Sequence, residues 1–215
     1  MKDYTVKSIK VGMEGNETNC YVLKREDSRA AVVVDPGDDA DKIKAALTEM
    51  DAEAAVILLT HGHYDHILAL DKIRTENTTV CIHKDELYRL EQPESIAFWR
   101  APSGLWPFKS PDVLFDGVQT EYKIGGYDFE VIYTPGHTEG SVCYRFGDIL
   151  FTGDTLFCRY IGRTDFAGGD EGKMKQSLRT LYELEGDFKV YPGHLDETTL
   201  DLERKYNMFI KGAMK

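Results

Sequence analysis

The chain has 215 residues, 42% hydrophobic and 29% charged, enough to bury a sizeable core, long for one domain and short for two. Its 26 basic and 37 acidic side chains leave a net charge of −11, which repels a phosphate backbone and argues against nucleic acid as a partner. Four scattered cysteines (Cys20, Cys81, Cys143, Cys158) argue against a disulfide framework or a thiolate zinc site. With no apolar leader or membrane-length run in the sequence, the expectation is a cytoplasmic protein, monomer or homodimer, that spans no membrane.

In chain order, residues 4–11 alternate apolar and polar, TNCYVLKR (18–25) gives a second short run, and AAVVVDPG (30–37) is a β-branched run stopped by Pro36-Gly37. DADKIKAALTEM then places Ile43, Ala46, Leu47 and Met50 at helical spacing, with Asp38 or Asp39 available as cap. AAVILLT (54–60) reads as an apolar strand covered on both faces. HILALDKI (66–73) looks helical and TTVCIH (78–83) extended. Residues 92–112 carry four prolines and four rings (Phe98, Trp99, Trp106, Phe108) beside Leu105, which reads as an apolar loop folding over something, a lid on the pocket or a packed patch. Strands are expected near 113–115, 121–124, 127–133 and 142–151, a helix within 171–184, a strand at 188–191 and a last helical stretch near 198–211. No repeat or linker interrupts the series, so a single domain over residues 1–215 is expected. Strands interleaved with helices point to an α/β sandwich.

The chain has six histidines, and three stand within THGHYDH (60–66). His61 and His63, two apart in an extended segment, project to one side and can grip one ion. Asp65 and His66 lie where the chain turns into the next helix, face differently, and can serve a second ion nearby. The remaining candidates each follow a strand end and a glycine: His137 in YTPGHT, Asp154 in LFTGDT and His194 in VYPGH. One histidine after a strand is usually a turn or core residue. Four such loops in order are better explained by two divalent cations, with His137 completing the first site, His194 the second, and Asp154 between them. Imidazole and carboxylate suit zinc first, with iron or manganese as alternatives.

The motifs TNCY (18–21), VDPG (34–37), THGHYDH (60–66), TPGHTEGS (134–141), FTGDTLF (151–157), GRTDF (162–166) and YPGH (191–194) together make the chain resemble the metallo-β-lactamase superfamily, and within it the glyoxalase II-like (hydroxyacylglutathione hydrolase-like) hydrolases. The resemblance implies a four-layer αββα sandwich, two mixed sheets with helices on the outer faces. It assigns His61, His63 and His137 to one metal, Asp65, His66 and His194 to the other, and Asp154 to the bridge. Histidine at 66 and aspartate at 154 look unlike the commonest true β-lactamases. Glyoxalase II proper continues into a helical domain whose basic residues help hold glutathione, whereas about twenty residues follow His194 here. Arg204, Lys205, Lys211 and Lys215 lie among them.

The activity expected is hydrolysis of a small thioester or ester. Two close metals acidify a shared water and generate hydroxide without a strong base, and one of them polarises the carbonyl. Asp65 acts as ligand and orients the water. Arg163 in GRTDF is the candidate substrate-facing cation, with an ion pair to Asp165 as its structural alternative. His83 is expected to be structural and Cys158 to pack. Two other functions fit the same resemblance. One is a mononuclear iron persulfide dioxygenase using His61, His137 and Asp154, and the other is a lactonase. A nuclease is disfavoured by the charge.

Overall fold

Two six-stranded sheets, both mixed, carry the chain, and their parallel strands decide where chemistry can sit. The computed structural model describes residues 4–15, 17–92, 104–117 and 119–215. It divides into two compact units, Met1–Phe115 with Lys123–Tyr127, and Asp116–Tyr122 with Asp128–Lys215.

In the first unit, β1 (Tyr4–Val11), β2 (Thr18–Arg25) and β3 (Ala30–Val34) pair antiparallel in sequence. β4 (Glu53–Leu58), β5 (Thr79–His83) and β6 (Val113–Phe115) then add in parallel. The parallel step from β3 to β4 needs a crossover, and α1 (Ala40–Glu49) makes it. Its Ile43, Ala46 and Leu47 share one core cluster with Val33, Ile57, Leu59, Val80 and Ile82. The cap expected at its start differs in detail. Asp39 is the N-cap residue, at φ 49°, and its side chain makes no capping bond. Its carboxylate accepts instead from Gly12 N and Lys42 Nζ, tying β1 to the helix entry. The stretch after the histidine motif is two single turns, α2 (Tyr64–Ile67) and α3 (Leu70–Ile73), rather than one helix. A 3₁₀ turn (Lys84–Glu86) and α4 (Leu87–Glu91) follow β5.

The second sheet runs β12-β11-β10-β9-β8-β7, from β7 (Gln119–Ile124), β8 (Tyr127–Tyr133), β9 (Val142–Phe146), β10 (Ile149–Gly153), β11 (Lys189–Pro192) and β12 (Thr198–Thr199). The run expected as one strand over 142–151 is a hairpin, because Gly147 at φ 62° turns the chain between two apolar stretches. β10 and β11 are parallel, joined through α5 (Glu171–Glu183). Asp170 caps α5 by accepting from Lys173 N, and Met174, Leu178 and Leu181 bury against Ile132, Leu150 and Val190. The last helical stretch breaks into α6 (Leu200–Tyr206) and α7 (Met208–Ala213). Buried Asn207 ends one and caps the other, accepting from Phe209 N and Ile210 N while its amide donates to Glu203 and to Tyr160 O.

No helix among the described residues is long and apolar enough to cross a membrane. Of the aromatic segment 92–112, Phe98 and Trp99 lie outside the described residues. Trp106 and Phe108 pack edge-on to each other and onto the first core cluster, with Trp106 Nε1 donating to Arg89 O and Phe108 N to Leu90 O. This portion is packed structure under α4.

Candidate metal centre

Parallel strands end at the same edge, so the loops that follow them are neighbours. In the first unit, Asp35 follows β3, and the segment 59–66 follows β4. Asp35 takes φ 49°, a left-handed conformation unusual for a side-chain-bearing residue. It is 2% exposed and organises the loop. Its Oδ1 accepts from Thr60 N at 2.7 Å, and its Oδ2 accepts from Thr60 Oγ1 at 2.6 Å and faces His66 Nδ1 at 2.9 Å.

These bonds fix tautomers. A carboxylate oxygen can only accept, so His66 carries its proton on Nδ1 and presents a bare Nε2. Thr60 spends its hydroxyl proton on Asp35, so its oxygen accepts from His61 Nδ1 at 3.1 Å, which again leaves Nε2 bare. His61 Nε2 stands 3.0 Å from His63 Nδ1. Ligand-type atoms of Asp35, His61 and His66 lie within 4.8 Å of one another, all buried. Asp65 is half-buried, with Thr18 Oγ1 donating to its Oδ2 at 3.0 Å and His66 Nε2 3.8 Å from that same oxygen. Glycine at 37 is obligatory behind it, since a Cβ there would fall 1.9 Å from Asp65 O.

The second unit brings together His137, Asp154 and His194, from the loops after β8, β10 and β11. One carboxylate oxygen, Asp154 Oδ2, lies 3.4 Å from His137 Nε2 and 3.5 Å from His194 Nε2. A register shift between Phe151 and Gly153 and a bond from Gly193 N to Gly153 O at 2.8 Å lock the Asp154 and His194 loops together. His194 packs edge-on to Phe157 at 5.8 Å. His137 Nδ1 donates to Arg163 O at 2.7 Å, so its Nε2 also is bare. Gly162 makes this possible, because a Cβ there would meet Asp154 O at 1.9 Å and His137 Nδ1 at 3.0 Å. Gly136, at φ 139°, lets the His137 turn lie against α5, its carbonyl accepting from Asp170 N.

Each expected ligand therefore sits at a strand-end loop with its nitrogen or carboxylate directed among others of its kind. The Arg163 side chain is exposed, its guanidinium bonded to both Asp165 oxygens at 2.7 Å and stacked on Phe166 at 3.9 Å. That partner holds the Asp165 carboxyl down at about 2 and raises the arginine. The ion pair named as its structural alternative is present, and the contribution of Arg163 to the histidine set is its carbonyl. His83 is buried and accepts from Asp85 N, capping the 3₁₀ turn, a structural place as expected. Cys158 is partly exposed. Asp35, Thr60, Thr18 and the Arg163 carbonyl were not among the expected site groups. An aspartate before Pro-Gly at the end of an apolar run was a readable signal for Asp35, whereas main-chain acceptors leave none.

The family profile described as metallo-beta-lactamase superfamily matches residues 13–194. A protein of Mycobacterium tuberculosis is 37% identical over 218 residues, spanning 92% of this chain and 94% of that one. Hydroxyacylglutathione hydrolase GloC of Haemophilus influenzae is 30% identical over 204 residues, spanning 90% and 93%. Among solved structures, the BLEG-1 B3 metallo-beta-lactamase superposes with a TM-score of 0.88 at 36% identity over 97% of this chain and 100% of that one. TTHA1623 in a di-iron-bound form gives 0.79 at 29% identity over 94% and 99%. The α/β sandwich expected from the strand and helix pattern is thus the fold.

Proposed function

This chain belongs to the metallo-β-lactamase superfamily, and from that premise we propose that it hydrolyses a small thioester, or an ester of like size, with two divalent metal ions. The observation that carries the reading is Asp154, one carboxylate oxygen set 3.4 and 3.5 Å from the Nε2 atoms of His137 and His194. That placement supports a carboxylate that two cations would share, each with its own histidine. The donor set fits the group, since neutral imidazoles and carboxylates, three of the imidazoles with their tautomers fixed by acceptors behind them, are borderline ligands that suit zinc and also iron or manganese. The di-iron form of a similar structure supports the count of two. By this assignment His61, His63 and His137 would hold one ion, Asp65, His66 and His194 the other, and Asp154 would serve both.

Bound there, two such ions supply Lewis acidity and a water acidified to near neutrality. The chain supplies the rest. Asp35 and Thr60 hold His61 and His66 in the ligating tautomer, the Arg163 carbonyl does the same for His137, and Thr18 aims the Asp65 carboxylate that orients the attacking water. A thiolate leaves readily, so hydrolysis of a thioester needs no separate general acid, and none is assigned. The exposed Arg163 guanidinium, kept in place by Asp165 and Phe166, is assigned to an anionic end of the substrate. GloC supports a glutathione thioester among the candidates.

The test is hydrolysis of S-lactoylglutathione by purified protein after its bound metal has been counted. Two metals per chain and kcat/KM of about 10⁴ M⁻¹s⁻¹ or better is the expected result. Two metals with negligible turnover would shift the substrate to other thioesters or lactones, and one iron with oxygen consumption would replace the reading with a dioxygenase.

A further inference from the structure

Glu86 and Arg89 are 0% and 1% exposed, and burying a charged pair this completely is costly without a positional purpose. Glu86 closes the 3₁₀ turn capped by His83, and Arg89 lies one turn on in α4. Glu86 Oε2 does two things at once. It stands 3.0 Å from Arg89 Nε, and it accepts the main-chain N–H of Gly62 at 2.7 Å. Gly62 is the residue between His61 and His63. The contact is close as well as polar, since a Cβ at position 62 would lie 2.7 Å from Arg89 Cβ and 3.1 Å from Glu86 Oε2. From the other side, Trp106 Nε1 donates to Arg89 O and Arg89 lies over the Tyr88 ring, 4.8 Å from its centre.

We infer that the buried Glu86–Arg89 pair is a positioning device for the His61–Gly62–His63 segment, holding by one charge-assisted bond to Gly62 N the peptide that sets the separation of the two imidazoles. The inference rests on the metal-site reading above. The carboxylate is a hydrogen-bond acceptor, Arg89 sets an opposite charge 3.0 Å from it, and a charge-assisted acceptor makes the shorter, stronger bond to the amide. Neither side chain is a ligand or touches substrate; each acts through the main chain of Gly62.

The decisive variant is the paired replacement Glu86→Leu with Arg89→Met, which removes the acceptor without leaving an unpartnered buried charge. Zinc affinity is measured on the folded protein by competition with a chromophoric chelator, and the cobalt(II)-loaded protein gives a ligand-field spectrum. The expected result is a thermal midpoint near that of the wild type, zinc affinity lowered about 10–100-fold and a changed cobalt spectrum. Glu130→Gln, which breaks the separate Arg145–Glu130 pair, controls for loss of stability alone and should move neither metal readout. Unchanged affinity and spectrum in the paired variant would overturn the inference. Should that variant fail to fold, Gly62→Ala presses a methyl against both side chains and is read the same way. The Gly62 amide resonance separates the two readings, since its downfield position in metal-free wild type reports the carboxylate bond whether or not any ion binds. A wild type that binds no metal while showing that resonance would sink the metal site alone, and a Gly62 resonance at an ordinary position would sink the positioning role.

Discussion

At the scale of single residues, Asp154 and Asp35 separate two kinds of carboxylate. Asp154→Ala removes the oxygen that two imidazoles share and should cut both metal content and turnover by more than the ~10–100-fold typical of an outer partner; metal analysis beside the thioester assay checks it. Asp35→Asn keeps size but replaces one acceptor oxygen by a donor that opposes either Thr60 N or both His66 Nδ1 and the Thr60 hydroxyl. It should fall within that ~10–100-fold range, and full activity in the variant would remove Asp35 from the scheme. Arg163→Met keeps the carbonyl that positions His137, so KM for an anionic thioester should rise severalfold with kcat unchanged. A fall in kcat alone would contradict the substrate assignment. The cysteines give a pH prediction. Burial pushes the Cys81 and Cys143 thiols up to about 12, and lifts Cys20 well above its usual value with the nearby Asp35 charge adding to it. A thiol raised in the folded state favours folding below its unfolded pKa of about 8.5. That contribution is lost as pH climbs from there toward 12, because only the unfolded chain ionises. Native protein should therefore react with a thiol reagent at Cys158 alone among the four and lose stability above about pH 9. Rapid labelling of a second cysteine at pH 8 would contradict the burial.

At the scale of elements, glycines and caps decide whether loops land correctly. Gly162→Ala would drive a methyl into Asp154 O, costing about 1–3 kcal/mol as overpacking and displacing His137, so stability and activity should fall together. Asn207→Ala, by contrast, removes the cap of α7 and a donor to buried Glu203. Thermal unfolding should show a loss of about 1–2 kcal/mol with specific activity per folded molecule unchanged. The same elements show what a sequence can and cannot disclose. β2 and β6 are legible to the residue because Arg25 and the Pro111–Asp112 turn border apolar runs. The hairpin at Gly147 does have a sequence signal, the two-residue turn Gly147-Asp148 between apolar runs, which the expectation of one strand over 142–151 ran through. The break at Asn207 was hidden, because asparagine is tolerated mid-helix by propensity and its capping bonds exist only in three dimensions. Among site residues, His61, His63, His66, His137 and His194 were legible as donors crowded at strand ends. Glu86 and Arg89 gave no signal, because an acidic and a basic residue three apart on a helix ordinarily mean a solvated face.

For the whole molecule, charge and metal linkage set the behaviour. With a net charge of −11, the protein repels an anionic thioester at long range, and salt screens that repulsion over a Debye length of about 10 Å at 0.1 M. kcat/KM for such a substrate should rise as ionic strength increases from low values; a steady fall would show that local cations such as Arg163 dominate the approach. Ions that bind only the folded chain stabilise it, by about 2.7 kcal/mol at a free concentration one hundred times Kd. Chelation should accordingly lower the thermal midpoint, and re-addition of zinc, iron or manganese should restore it in the order of their affinities.

The spacing of the donors along the chain has a consequence in time. His61, through Thr60, and His66 are aligned by Asp35, which lies 26 and 31 positions earlier, and Asp154 meets His194 only after α5 has returned the chain to the sheet edge. A nascent chain leaving the ribosome therefore lacks the full donor set until residue 194 has emerged and the parallel strands of each sheet have paired. Metal choice then becomes an event of the finished protein, settled by whichever ion the surroundings keep free rather than by order of synthesis. The metal recovered from one host would thus record the metal supply of that host, and expression in media of different metal content should yield the same fold with different occupants.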